Sequence, residues 1–115
     1  MKTFRDWKNR SPEICMLLDK VRQEVHSIVP DAQIILYGSR ARGDTNIFSD
    51  WDFLILAERN LDRNLIIKIR DCLYDLELEA DTVLSSIIRS REEWDSPMYS
   101  ALPLKHMVEK EGILL

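Results

Sequence analysis

Apolar and polar positions along the chain follow two spacings, and the switches between them mark the expected elements. Ile14, Leu17, Leu18, Val21, Val25 and Ile28 recur every three or four residues and so share one face of a helix. Ser11, Pro12 and Glu13 supply its start: a side-chain cap, a proline suited to the first turn, and an acid at the positive end of the helix dipole. Pro30 and Asp31 end it. Gln33 to Tyr37 is a short β-favouring run halted by Gly38. Trp51 to Ala57 is too continuously apolar for a strand with one wet face, so both runs are expected to be inner strands. Leu61, Leu65, Ile66, Ile69, Cys72 and Leu73 restore the helical stripe, capped by Asp62 or a neighbour.

From Leu76 to Leu84 the pattern turns to alternation, with Glu77, Glu79, Asp81 and Val83 opposite Leu76, Leu78, Ala80, Thr82 and Leu84. This predicts a third strand. Ser90 and Glu93 stand at capping-box spacing before a short helix. A last helix, Leu104 to Glu111, should stop at Gly112, leaving Ile113, Leu114 and Leu115 as a fourth strand or an apolar tail. The order helix, strand, strand, helix, strand predicts an α+β or α/β sandwich.

The chain's 115 residues match one domain with one core, so the expectation is a single domain over 1–115. At 45% hydrophobic and 31% charged it lies among folded globular chains. The net charge of −4 argues against stable coating of nucleic acid, although a local basic cluster can still hold a phosphate. Cys15 and Cys72 lie far apart with no histidine at ligand spacing, which predicts reduced thiols rather than a zinc site or a disulfide framework. Apolar runs fall short of the roughly 18 residues of a membrane span, so no membrane association and a cytoplasmic location are expected.

Between the two inner strands, "GSRARGDTNIFSD" gathers turn formers, arginines and acids. Asp50 and Asp52, two apart on an extended chain, should project to one face with Cα atoms roughly 6 to 7 Å apart. Two carboxylates so placed repel each other and lose hydration, so a cation should share the site: arginine, a metal ion, or both. Mg²⁺ commonly takes one or two carboxylates and fills its shell with water and phosphate oxygens. Gly38 lets the backbone approach a ligand, Ser39 adds a hydroxyl, and Arg40 or Arg42 can neutralise a polyphosphate. One helical turn is expected after Ser39. The loop lacks the Gly-Lys-Ser/Thr ending of a Walker A motif, which argues against a P-loop ATPase or GTPase.

Gly38-Ser39, ten residues, then Asp50-x-Asp52 followed by Phe53, Leu54 and Ile55 resembles the signature of the polymerase-beta-type nucleotidyltransferase superfamily. Within it, "GSRARG", "SDWDFLI" and the closing "EKEGI" are similar to the minimal nucleotidyltransferase family, MNT. The resemblance implies a small mixed β-sheet flanked by helices, with Gly38 and Ser39 on the triphosphate. It implies Asp50 and Asp52 on divalent metal, two Mg²⁺ ions in all, and ATP as the nucleotide. It also implies a third carboxylate on a later strand as metal ligand or general base; Asp81 is the choice and Glu79 the alternative. Trp51 is bulkier than the residue usual inside that Asp-x-Asp. The chemistry implied is transfer of a nucleoside monophosphate to a hydroxyl. A chain this short has no room for the helical acceptor domain of larger relatives, so the resemblance points to a partner polypeptide. In that family the partner is a small helical HEPN-type toxin, which the nucleotidyltransferase antitoxin silences by binding it, by adenylylating a tyrosine on it, or by both.

Two rivals stand beside this reading: a catalytically silent antitoxin or binding module, and an aminoglycoside-type enzyme acting on a small molecule. Residue by residue, blander roles also exist. Asp50 and Asp52 could be solvated acids at a strand end, and Arg40 and Arg42 could pair with Asp44 or Asp50. His26 and His106 have no ligand-spaced partner and read as surface residues, while Trp7, Trp51, Trp94 and the methionines read as packing.

Overall fold

The computed structural model describes residues 1–44 and 48–115; positions 45–47 of the loop expected to face the ligand lie outside them. The capped segment is helix α1, Pro12–Ile28, with the Ser11 side chain accepting from the Ile14 N–H. Strand β2, Gln33–Tyr37, follows a two-residue β1, Lys2–Thr3, and a 3₁₀ turn at Phe4–Asp6. A single helical turn, α2, spans Ser39–Arg42 and leads toward β3, Trp51–Ala57. Helix α3, Arg63–Ala80, is capped by the Asp62 carboxylate on the Leu65 N–H. Beyond it lie β4, Leu84–Ser90, three short helices and β5, Ile113–Leu114. The helices are α4, Arg91–Trp94, α5, Pro97–Ser100, and α6, Pro103–Glu111.

One expectation is overturned. The stretch from Leu76 is not a strand: Leu76 continues the buried helical stripe of Ile69 and Leu73, and the chain stays helical through Ala80. Its Leu, Glu and Ala residues are strong helix formers, so the charged alternation over so few residues does not decide the period. Asp81 ends the helix in the left-handed conformation at φ 51°, which aspartate tolerates better than most residues. The strand begins at Leu84 instead and contains no acid.

The strands form one mixed sheet in the order β1-β5-β2-β3-β4, with β2 and β3 inside it, antiparallel to each other, and β4 parallel to β3. Thus the C-terminal apolar residues form a strand between β1 and β2. Ile34, Leu36, Trp51, Phe53 and Ile55 cover one face with Leu18, Val21, Val25, Ile69 and Leu73 of α1 and α3. Ile35, Tyr37, Leu54 and Leu56 cover the other, with Trp94 and Val108. Gly112 admits β5 at close quarters, because a Cβ there would lie 2.5 Å from the Val108 carbonyl and 2.8 Å from Ile35 Cγ2.

Both faces matter for placing the chemistry. By strand alternation Asp52 belongs with Leu54 and Leu56, on the side of Tyr37, α4 and α6, whereas Trp51 points among α1 and α3. The tryptophans pack as expected: Trp7, Trp51 and Trp94 are all buried. His106 is exposed, while half-buried His26 meets the Ala32 carbonyl at 2.8 Å.

Candidate active site

At the end of β2 the chain must turn away from Asp52, which pairs with Tyr37 across the ladder. Gly38 performs that turn at φ +81°, and a Cβ on it would stand 2.5 Å from Asp52 Oδ2. Glycine is therefore required twice, by the torsion and by the carboxylate lying against its backbone. Helix α2 follows at once, and its position is fixed from outside: the buried Trp7 indole Nε1–H donates to the Ala41 carbonyl at 3.1 Å.

Asp50 is exposed and immediately precedes β3, while Asp52 is half-buried within it. Burial, and then the neighbouring Asp50 charge, push the Asp52 carboxyl above the ordinary carboxylate value, and Arg42 pulls it partly back. Asp52 thus senses the Asp50 charge. Burial, with the Asp52 charge second, raises the Tyr37 phenol, so it stays protonated beside them.

The arginines divide. Arg40 donates from Nε to the Ser49 carbonyl at 3.1 Å and lies 4.5 Å from the Trp51 ring centroid, a cation–π contact that ties the loop to the strand. Trp51, the bulky residue inside Asp-x-Asp, thereby acts as a platform for its own loop. Arg42 lies near the acids: it bonds Asp44 at 3.0 Å and Glu111 at 2.9 Å, and its charge reaches Asp52. Ser39 is half-buried at the head of α2, where its carbonyl accepts from the Asp44 N–H at 3.1 Å.

Both candidates for a third carboxylate belong to α3 and its end rather than to a strand. Asp81 is exposed at the end of α3, and Glu79, within α3, pairs with Lys20 on α1. Ser85 is the β4 residue in register with Asp52. Among the described residues no group of three or more histidine, cysteine, aspartate or glutamate side chains could hold a metal ion. Asp50 and Asp52 themselves fit a cation on chemical grounds, since burial and the Asp50 charge both raise the cost of charging Asp52, and Arg42 offsets this in part.

Glu111 completes the site and was not found by sequence reasoning. Its Oε1 accepts from the Gly38 N–H at 3.3 Å as well as from Arg42. The only local hint was its place at the end of the last helix, in "EKEGI"; nothing in the spacing links position 111 with position 38.

Two solved structures share the fold: a toxin–antitoxin crystallised with AMP-PNP, and a candidate nucleotidyltransferase from Sulfolobus solfataricus. The first is 22% identical with a TM-score of 0.60 over 84% of this chain and 69% of that one. The second is 21% identical with a TM-score of 0.57 over 89% of this chain and 80% of that one. Comparison with curated proteins finds no match. Residues 18–114, which contain the Gly38-Ser39 turn, both aspartates and Glu111, match the family model described as "Nucleotidyltransferase domain", and the chain belongs to that family.

Proposed function

We propose that the site binds a nucleoside triphosphate with divalent metal and transfers its nucleoside monophosphate to a hydroxyl acceptor. The observation that carries this reading is Asp52 set against the Gly38 turn, with the charges of Asp50 and Arg42 both acting on it. Asp50 and Asp52 would hold the metal, and Arg42 with the Gly38-Ser39 turn would face the phosphates. Bound divalent ions supply positive charge that acidifies an acceptor hydroxyl and stabilises the departing pyrophosphate. In the transfer, the acceptor oxygen bonds to the α-phosphorus, the bond from that phosphorus to the bridging oxygen breaks, and pyrophosphate leaves. The acceptor proton passes to solvent or to a carboxylate.

ATP is the nucleotide in this reading, Mg²⁺ the metal, and a hydroxyl on a partner protein the acceptor. The chain would then be the antitoxin of a toxin–antitoxin pair, with a small helical HEPN-type protein as its partner. Support comes from the toxin–antitoxin relative holding AMP-PNP, which shares this fold. A second reading, a silent module that binds nucleotide or partner without transfer, is favoured by one observation. Among the described residues no third carboxylate joins the pair in a group that could hold a metal ion.

Incubation with Mg²⁺, α-labelled ATP and the protein encoded beside this chain separates the two. Transfer predicts label on the partner that falls by roughly a hundredfold or more in Asp50→Asn and Asp52→Asn. Neutralisation of the partner that persists in both variants, with no label in any sample, establishes the silent module instead.

A further inference from the structure

The phosphate donors of this site are already engaged by an anion that belongs to the chain. A single oxygen of Glu111 accepts from the Gly38 N–H and from Arg42, and the Glu111 side chain is only 17% exposed. A backbone N–H from a glycine turn and a guanidinium converging on one oxygen is how proteins commonly hold a phosphate oxygen. Glu111 is the last residue of α6, so its side chain can swing off without disturbing a following turn of helix. Asp52 lies against the same glycine, so the donors that hold Glu111 stand beside the aspartate of the site.

We propose that Glu111 is a built-in phosphate surrogate: it keeps Gly38 and Arg42 positioned in the nucleotide-free protein and is displaced when a triphosphate takes those donors. Glu111 is thus a positioning residue rather than a catalytic one. Two anions cannot share the same two donors, so each triphosphate that binds must outcompete the carboxylate. Ligands of low charge density, such as a nucleoside monophosphate, gain least from the exchange. This inference rests on the nucleotide reading above.

Calorimetric titration with AMP-PNP and Mg²⁺ tests it on wild type, Glu111→Gln, Asp50→Asn and Asp52→Asn. The expected result is binding that depends on the aspartates and becomes about 2- to 10-fold tighter in Glu111→Gln, because the competing charge is gone. A merely structural Glu111 gives the opposite sign, since Arg42 loses its support. Should Glu111→Gln fail to fold, the wild-type Glu111 carboxyl ¹³C resonance replaces it: it must shift as AMP-PNP saturates the protein. Unchanged or weaker binding in the variant, or a stationary resonance, overturns the Glu111 assignment while aspartate-dependent binding leaves the site reading standing. Absence of binding in the wild type, or binding indifferent to both aspartates, overturns the two together.

Discussion

The carboxyl of Asp52 occupies a place that folding alone would not choose. It is half-buried against the Gly38 backbone, with a second carboxylate nearby, and its proton affinity is raised by burial first and by Asp50 second. An aspartate held above its unfolded value binds its proton more tightly folded than unfolded, so it contributes least to stability once pH has risen past both values. Asp52→Asn is therefore expected to raise the melting temperature at pH 7 while removing nucleotide-dependent function. The gain should shrink as pH falls below the carboxylate range, where the wild-type side chain is protonated in both states. Thermal melts of wild type and variant across pH 3 to 8 check this; a variant less stable than wild type at pH 7 contradicts it. By contrast Cys72, whose thiol burial pushes up to about 11, stays protonated and unreactive, in keeping with the reduced cysteines expected of the sequence.

At the scale of elements, the loop between β2 and β3 is positioned by contacts remote in sequence. The Trp7 indole holds α2 through the Ala41 carbonyl, and Arg40 stacks on Trp51. Replacing Trp7 by Phe leaves a buried carbonyl without its donor, which should cost about 1–3 kcal/mol in urea denaturation and weaken triphosphate binding as α2 loosens. Equal stability of the two proteins would show that α2 does not depend on this bond. Legibility followed the same division. Ser11, Asp62 and the Ser90–Glu93 box could be read because a cap is a contact within three residues, and each of them caps as expected. The end of α3 could not be read in that way. Glu77, Glu79 and Asp81 suit an exposed helix surface as well as a strand edge, and the packing of Leu76 in the core settles the matter. Short elements with few side chains of their own, such as β1 and α5, carried no periodic signal at all.

For the whole molecule, the sheet converts distances in sequence into a site. Antiparallel pairing of β2 with β3 sets the Gly38 turn beside Asp52, and α6 returns Glu111 to the same point. The meeting of Asp52 with the Gly38 turn was legible because a motif confined to the stretch from Gly38 to Asp52 ties them together. Glu111 was not, since only the closed fold brings it there. Nor was the division of labour between Arg40 and Arg42, which depends on which side of the sheet each side chain reaches. No helix among the described residues is long and apolar enough to cross a membrane. The central claim is that Asp50 and Asp52 hold a divalent ion together with an incoming triphosphate, and electron paramagnetic resonance of Mn²⁺ reports this most directly. Free Mn²⁺ signal should fall when wild-type protein and AMP-PNP are both present, beyond what the nucleotide alone removes, and this extra loss should vanish in Asp50→Asn and Asp52→Asn. An extra loss of equal size in those variants, or none in the wild type, contradicts the account.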